Sequence, residues 1–216
     1  MPPVPAATAF VGSEESDVTT PQGPPAGRRP TWRNGGALLS GYFGATVYDN
    51  IEAKRGPVTV TSDDVTIPSL GGGAQLKLGG DGIDLGLEAF LGFNWRASST
   101  AIAVGGGGAA VAVDTDLFLF DLYGGPFASA FLGSGARVYV SAGPLMQWAT
   151  YDERGNGDGS GFGLGYYART GLEFVVGRGS FVGLGVRWSQ AEIDVDNNLG
   201  DLQVDGLMVM LTFSHF

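Results

Sequence analysis

The chain has 216 residues, of which 38 are glycine and none is cysteine, with 44% hydrophobic residues, 16% charged residues and a net charge of −10. The missing cysteines exclude disulfide scaffolds, thiolate metal sites and cysteine nucleophiles, and the acidic balance argues against nucleic-acid binding. Long helices are disfavoured because helix interiors tolerate glycine poorly, and no apolar run reaches the roughly 18 residues of a transmembrane helix.

The first 35 residues contain most of the eleven prolines and show neither helical nor strand periodicity. Such a composition is typical of a flexible tail. No charged segment followed by an apolar core begins at Met1, so we expect any secretory signal to have been removed or to lie outside this sequence. We therefore expect a Pro-rich N-terminal tail over 1–35 and a single folded domain over 36–216.

From Gly36 onward, apolar residues alternate with small or polar ones. In the clearest segment the odd-numbered residues from Ile83 to Trp95 are all apolar. This period of two indicates strands with one apolar face. The fourth segment has an ambiguous facing, because residues 117–120 are all apolar. The eight predicted segments are 39–47, 70–78, 83–95, 111–123, 138–148, 162–174, 182–188 and 207–213.

The predicted connections alternate in length along the chain. Glycine-rich tight turns are predicted at 79–82 and 177–180, and a short but less tight connection near 124–136. Four long loops are predicted at 49–69, 96–110, 149–161 and 189–205. Short turns at one end and long loops at the other are typical of an up-and-down β-meander.

Two kinds of eight-stranded barrel fit this alternation: a soluble one with an apolar interior, and a membrane one with an apolar exterior. The second face is mainly Gly, Ser, Tyr and Gln, which suits a narrow lumen. Trp95, Trp148 and Trp188 all lie on the apolar face beside long loops, as in the aromatic girdle of a membrane barrel. The charges of the tail and of the strands each sum to zero, so the four long loops carry the whole net charge.

The prediction is an all-β fold, an eight-stranded antiparallel up-and-down transmembrane β-barrel. In strand number, loop alternation and tryptophan placement, residues 36–216 resemble the small OmpA-, OmpX- and OmpW-type outer-membrane barrels of Gram-negative bacteria. The ending from Leu211 to Phe216 is similar to the signal that the barrel-assembly machinery recognises, although Thr212 and Ser214 share the parity of Phe216, where apolar residues are usual. The resemblance implies a bacterial outer-membrane location and contact with membrane lipid, and no particular activity.

Charged side chains on the polar face are predicted to form an ion-pair network that fills the lumen, since eight strands leave room only for side chains or one small ligand. Counting back from the tight turn places Lys77 opposite Asp84. A narrow gated pore is the alternative, and an inward glycine such as Gly86 is expected to accept a serine. The predicted network comprises Lys77, Asp84, Glu88, Arg137, Arg169, Glu173 and Arg187.

No catalytic residue is predicted. His215 is the only histidine, and Ser214 beside it must point to the opposite face of the strand. Asp114 and Asp116 resemble the paired aspartates of outer-membrane barrel proteases, but no histidine lies in a long loop to complete such a site. We therefore predict that the chain is not an enzyme, with a lipid-modifying barrel enzyme as the third alternative.

No cofactor and no metal site are predicted. Residues 194–201 partly match a calcium-binding loop, but Leu199 occupies the position of the turn glycine, and the acidic segment 152–160 is also incomplete. The weak candidate ligands are Asp194, Asp196, Asn198 and Asp201.

Residues 101–113 contain no charge and four successive glycines, which predicts an apolar hairpin that extends the third and fourth strands. An exposed apolar hairpin is a candidate contact site for a protein partner, and folding over the barrel mouth is the alternative. The function predicted from the sequence is a structural or interaction role with a minor gated pore. A soluble barrel that binds lipid or another small ligand is the competing class.

Overall fold

The computed structural model describes Trp32 and residues 35–55, 58–103, 110–153, 157–195 and 200–216, with the backbone alone near the outer ends of the strands. The described residues form eight strands. Each pairs with the next in antiparallel fashion, and β8 pairs with β1, so that the barrel is closed. The predicted fold is confirmed. The strands are β1 (Ala37–Arg55), β2 (Val58–Gly79), β3 (Ile83–Ala103), β4 (Ala110–Leu132), β5 (Ala136–Glu153), β6 (Gly157–Gly177), β7 (Ser180–Val195) and β8 (Gly200–His215).

Three connections at one end of the barrel are tight turns. Gly80, Gly82, Gly133 and Gly179 have positive φ there, a conformation that favours glycine. The looser connection predicted at 124–136 is wrong, because the turn occupies only 133–135 and residues 124–132 belong to β4. Gly125 lies within β4 and allows β4 to approach β5 closely, because a Cβ at this position would lie 2.3 Å from the carbonyl oxygen of Ala142.

The four predicted long loops are mostly strand. For example, β3 and β4 stay paired as far as Ala103 and Ala110, which yields the hairpin predicted for 101–113. Apolar alternation stops earlier than the backbone pairing does, so the sequence pattern understated strand length. The four connections at 56–57, 104–109, 154–156 and 196–199 lie outside the described residues.

The apolar face of the barrel points outward. Leu87 on β3 and Leu184 on β7 are 51% and 63% exposed, whereas their neighbours in sequence, which are Glu88 and glycines, face a buried interior. The ambiguous facing of β4 is resolved, because Phe118 is exposed while Leu119 and Asp121 are buried. A soluble protein does not expose a continuous apolar band of this kind. The competing soluble barrel is therefore wrong, and the barrel is of the transmembrane type.

Beyond the tryptophans the polarity of the wall inverts. About 12 residue steps separate Ile83 from Trp95, and at roughly 3.3 Å per step with a tilt of about 40° they span roughly 30 Å, the thickness of a hydrocarbon core. Past this level the outward residues are polar, including Thr66, Thr150, Ser160, Gln190, Glu192 and Gln203. The inward ones form an apolar cluster of Tyr48, Ile67, Leu119, Ala149, Ile193 and Val204. The strands thus continue past the membrane as a protrusion with an apolar interior. Within the described ranges, no helix is long and apolar enough to cross a membrane.

A closed barrel has no unpaired strand edge and should resist SDS until it is boiled. We expect boiled and unboiled samples of the protein, refolded in detergent, to migrate differently on a gel. Identical migration of the two samples would contradict a closed barrel.

Candidate functional site

The lumen is the candidate site, and side chains fill it in layers from the turn end to the protruding end. The mouth cluster at the turn end consists of Trp32, Leu38, Phe127 and Phe181, with Phe131, Val175 and Phe216 against it. The central aromatic layer contains Tyr42, Phe90, Tyr123, Leu145, Tyr167, Met208 and Met210. A polar layer lies on each side of the central layer, the lower one toward the turns and the upper one toward the protrusion. The apolar cluster of the protrusion fills the other end of the lumen.

The lower polar layer holds three cations and three carboxylates. Lys77 contacts Asp84, Arg137 Nη1 lies 2.9 Å from Glu173 Oε2, and Arg169 Nη2 lies 3.3 Å from Glu88 Oε2. Gln75 links two of these pairs, since its Oε1 accepts from Arg137 Nη2 at 2.6 Å and its Nε2 donates to Glu88 Oε2 at 2.6 Å. The layer is therefore electrically neutral and bridged across the barrel.

Glu88 is the most connected carboxylate of the lower layer. Besides Gln75 and Arg169 it accepts a hydrogen bond from the Tyr167 hydroxyl at 3.0 Å. Buried carboxylates are stabilised only when their oxygens are paired or hydrogen-bonded. Glu88 therefore anchors the layer, and its loss would leave Arg169 without its carboxylate partner.

The upper polar layer is built around Asp121 and Arg187. Arg187 Nη2 lies 2.7 Å from Asp121 Oδ2, and both side chains are at most 1% exposed. Asn94 and Gln147 donate to the same carboxylate at 3.1 and 2.7 Å, and Thr46 bonds to Ser69 at 2.7 Å beside them. This layer is also neutral, with one ion pair surrounded by amides and hydroxyls.

Aromatic rings contact the guanidinium groups of the lumen arginines. The guanidinium carbon of Arg169 lies 4.1 Å from the ring centre of Phe90 and 4.7 Å from that of Tyr139, and that of Arg187 lies 4.7 Å from Tyr123. Cation–π contacts of this kind strengthen when they are removed from water. The arginines are thus held between carboxylates and ring faces instead of lining an open water column.

The lumen residues named from the sequence all lie inside the barrel, but two pairings differ from expectation. Lys77 stands opposite Gly86 instead of Asp84, because the register shifts between Lys77 and Gly79. Its ammonium still reaches Asp84 diagonally. Arg187 pairs with Asp121, a carboxylate that the predicted network did not include. Sequence reasoning missed Asp121 as a lumen residue because the facing of its strand was ambiguous.

Trp32 is the second residue that sequence reasoning missed. It belongs to the predicted tail, most of which lies outside the described residues, yet it is buried in the mouth cluster. Its ring stacks on Phe127 at 5.4 Å, and the Arg137 guanidinium lies 5.0 Å from the ring centre. Its indole N–H donates to Gly36 O at 2.9 Å, and its own carbonyl accepts from Lys77 Nζ at 3.1 Å. Trp32 therefore ties the N-terminal segment to the turn end of the lumen.

Replacing Trp32 with alanine should lower the free energy of unfolding by about 2 kcal/mol, the sum of a few aromatic and cation–π contacts. Urea titration of the protein in lipid vesicles would measure the loss. Trp95→Ala, which removes an exposed tryptophan at the girdle, is the control. Equal stability of the Trp32 variant and the unmodified protein would show that the mouth cluster contributes nothing.

The predicted girdle residues Trp95, Trp148 and Trp188 are all exposed on the outer wall of the barrel. Neighbouring aromatics extend them into a ladder across β3–β6, with ring centres 5.6 Å apart for Phe120 and Trp148 and 4.9 Å apart for Trp148 and Phe162. Tyr166 on β6 packs against Trp188 on β7, with ring centres 5.4 Å apart. The arrangement is suited to the boundary between hydrocarbon and headgroups.

The residues weighed for catalysis do not assemble in the described part of the chain. Ser214 faces inward and bonds to Glu173 at 2.9 Å, whereas His215 is exposed. The side chains of Asp114 and Asp116 lie outside the description. That the chain is not an enzyme stays a prediction.

Most of the candidate metal ligands have side chains that lie outside the description. Asp194 is exposed on β7 and pairs with Asp201 through the backbone, while Asp196 and Asn198 lie outside the described residues. Among the described side chains, no three of His, Cys, Asp or Glu are grouped so that they could hold a metal ion.

Comparison with known proteins identifies the fold. No protein-family model matches the chain, and no curated protein matches it. Neisserial surface protein A has a solved structure that aligns with a TM-score of 0.51 and 14% identity over 83% of this chain and 98% of that one. The attachment invasion locus protein Ail of Yersinia pestis aligns at 0.45 and 12% over 82% and 98%. OprG, an outer membrane protein from Pseudomonas aeruginosa, aligns at 0.46 and 13% over 85% and 96%.

The chain thus has the fold of the small outer-membrane β-barrels, as its sequence predicts. Identities near 13% show a shared fold and carry nothing about activity.

Proposed function

We propose that the protein resides in a bacterial outer membrane, where it acts as a structural or interaction barrel with a closed lumen. The observation that carries this proposal is the neutral, side-chain-filled interior. Among the side chains that the structure describes, each of the four buried cations has a carboxylate partner. Apolar layers close the space above and below these pairs. Because a buried unpaired charge is costly, the network favours the closed arrangement over an open pore.

Planar-bilayer recordings of the unmodified protein should show no conductance or small, infrequent openings. Glu88→Ala or Glu173→Ala should raise the open probability, because each releases an arginine from its carboxylate. Glu192→Ala is the matched control, since Glu192 is an exposed carboxylate on the outer wall. Large, steady conductance of the unmodified protein would overturn the closed-lumen proposal and favour the pore.

The site of interaction is proposed to be the protrusion beyond the girdle, with the β3–β4 hairpin at 101–113 as its apolar contact for a protein partner. The paired backbone as far as Ala103 and Ala110 supports a rigid projection. Loops carried on a rigid scaffold are common binding sites. Replacing Ile102 and Val111 with threonine should weaken partner capture at the cell surface while heat-modifiability is retained. Unchanged capture would move the contact elsewhere on the protrusion.

Two further relationships follow from the outer-membrane proposal. The outward apolar band would contact membrane lipid along its whole height. The last strand is proposed to engage the barrel-assembly machinery, although Thr212 and Ser214 point inward on the parity of Phe216. Fractionation of cell membranes tests the location, and recovery of the protein without detergent would contradict it.

A further inference from the structure

A shallow pocket of about 390 Å³ lies on the outer wall where β7 begins and β8 ends. One part of its lining is apolar and consists of Leu39, Val176, Val182 and Phe213. The other part is polar and includes Ser180 and His215. The polar part lies at the turn end of β7 and β8, at the edge of the apolar lipid-facing band.

The polar part is preorganised by strand pairing. Ser180 and His215 are register partners in β7 and β8, and Ser180 Oγ lies 2.9 Å from His215 Nδ1. With Nδ1 occupied by the serine, the second ring nitrogen of His215 remains for a ligand from outside, since both nitrogens can hydrogen-bond. Neither residue takes part in the lumen network described above.

Arg178 carries a positive charge in the turn that leads into the pocket, although it does not itself line the pocket. It is exposed in the β6–β7 turn, two residues before Ser180. Every other lysine or arginine whose side chain is described is buried in the lumen with a carboxylate partner. Arg178 is thus the one described cation at the turn end that can meet an external anion.

The pocket also lies at the right height for a molecule with a charged head and an apolar body. Val176 is 63% exposed only two residues before Arg178, so the apolar band reaches almost to the turn. Headgroups must therefore lie at the level of the turn and hydrocarbon directly above it. An exposed guanidinium and a histidine next to an apolar wall match a phosphate joined to acyl chains.

We propose that this pocket binds a glycerophospholipid of the periplasmic leaflet. Arg178, Ser180 and His215 contact its phosphate group, and an acyl chain lies against Val182 and Phe213. The proposal requires only that the barrel be inserted in a membrane. It is independent of whether the lumen conducts or the protrusion binds a partner.

Native mass spectrometry of the protein refolded in detergent tests the proposal, with phosphatidylglycerol as the probe. We expect Arg178→Gln and His215→Gln each to weaken binding about fivefold to tenfold, as for loss of a charge-assisted hydrogen bond. Two changes in the other tight turns, Asp81→Asn and Ser134→Ala, are the controls and should leave binding unchanged. Retained heat-modifiability shows that each variant is folded.

Two further probes distinguish binding of a phospholipid from binding of hydrocarbon alone and from binding of phosphate alone. Diacylglycerol, which lacks phosphate, and inorganic phosphate, which lacks acyl chains, should both bind far more weakly than phosphatidylglycerol. Equal binding of diacylglycerol would show that the pocket holds any hydrocarbon, and equal binding of inorganic phosphate would show an anion site only. Either result, or unchanged affinity in both the Arg178 and His215 variants, overturns the proposal.

Discussion

Leu87→Arg is expected to destabilise the inserted barrel by about 2–4 kcal/mol, the cost of arginine near the bilayer midplane. Leu87 lies on β3 between the tight turn and Trp95, and half of its surface is exposed to the outside. A guanidinium at this position must enter hydrocarbon or bend the membrane toward it. Urea unfolding of the protein in vesicles, followed by the gel shift, measures the loss.

The control for this substitution is Gly41→Ala, also on the outward face. A Cβ at Gly41 would meet only the carbonyl oxygen of Gly71 at 3.8 Å, so stability should hardly change. A cost for Gly41→Ala equal to that of Leu87→Arg would mean that any substitution on this face is harmful, and the inside–outside assignment would lose its support.

The inward neighbour of Leu87 corrects an expectation from the sequence. A serine at Gly86 was expected to be accepted, on the ground that the lumen wall is polar. A Cβ there would lie 2.0 Å from the carbonyl oxygen of Leu76 and 2.6 Å from the ring of Phe127. Gly86→Ser is therefore predicted to be destabilising. The glycine is required by the close approach of strands and rings, which parity alone does not reveal.

Sequence alternation was sufficient for the strand number and for the facing of Leu87, because a period of two in a membrane barrel is imposed separately on each strand. It was insufficient for strand length. Beyond Trp95 the outward residues turn polar and the inward ones apolar, so the pattern that defines a membrane strand ends while hydrogen bonding continues. The limits of β3 and β4 depend on pairing between strands, which a single segment does not encode.

In the lumen too, sequence alternation predicts the facing of a residue but not its partners. Parity placed Glu88 and Arg169 inside, but the bonds of Glu88 to Arg169, Gln75 and Tyr167 depend on the stagger of strands around the barrel. Trp32 was assigned to a tail because its neighbours lack periodicity. Its burial is due to tertiary contacts with the mouth cluster, for which the local sequence contains no signal.

The partnership of Arg187 with Asp121 leads to the largest expected effect in the lumen. Arg187→Met leaves the Asp121 carboxylate buried with only the amides of Asn94 and Gln147 as partners. Removing one member of a buried ion pair typically costs about 3–5 kcal/mol, because the remaining charge is uncompensated. Urea unfolding in vesicles should show a loss of this size.

The double variant Arg187→Met with Asp121→Leu should be more stable than the sum of the two single losses predicts, since no charge then remains unpaired in the upper polar layer. Asp84 supplies the matched control, because it is a lumen carboxylate whose contact is with Lys77 in the lower layer. Arg187→Met combined with Asp84→Leu should be additive within about 0.5 kcal/mol. Coupling of Arg187 to Asp84 in place of Asp121 would show that the two polar layers are not arranged as described, and the closed, separately neutral lumen would have to be abandoned.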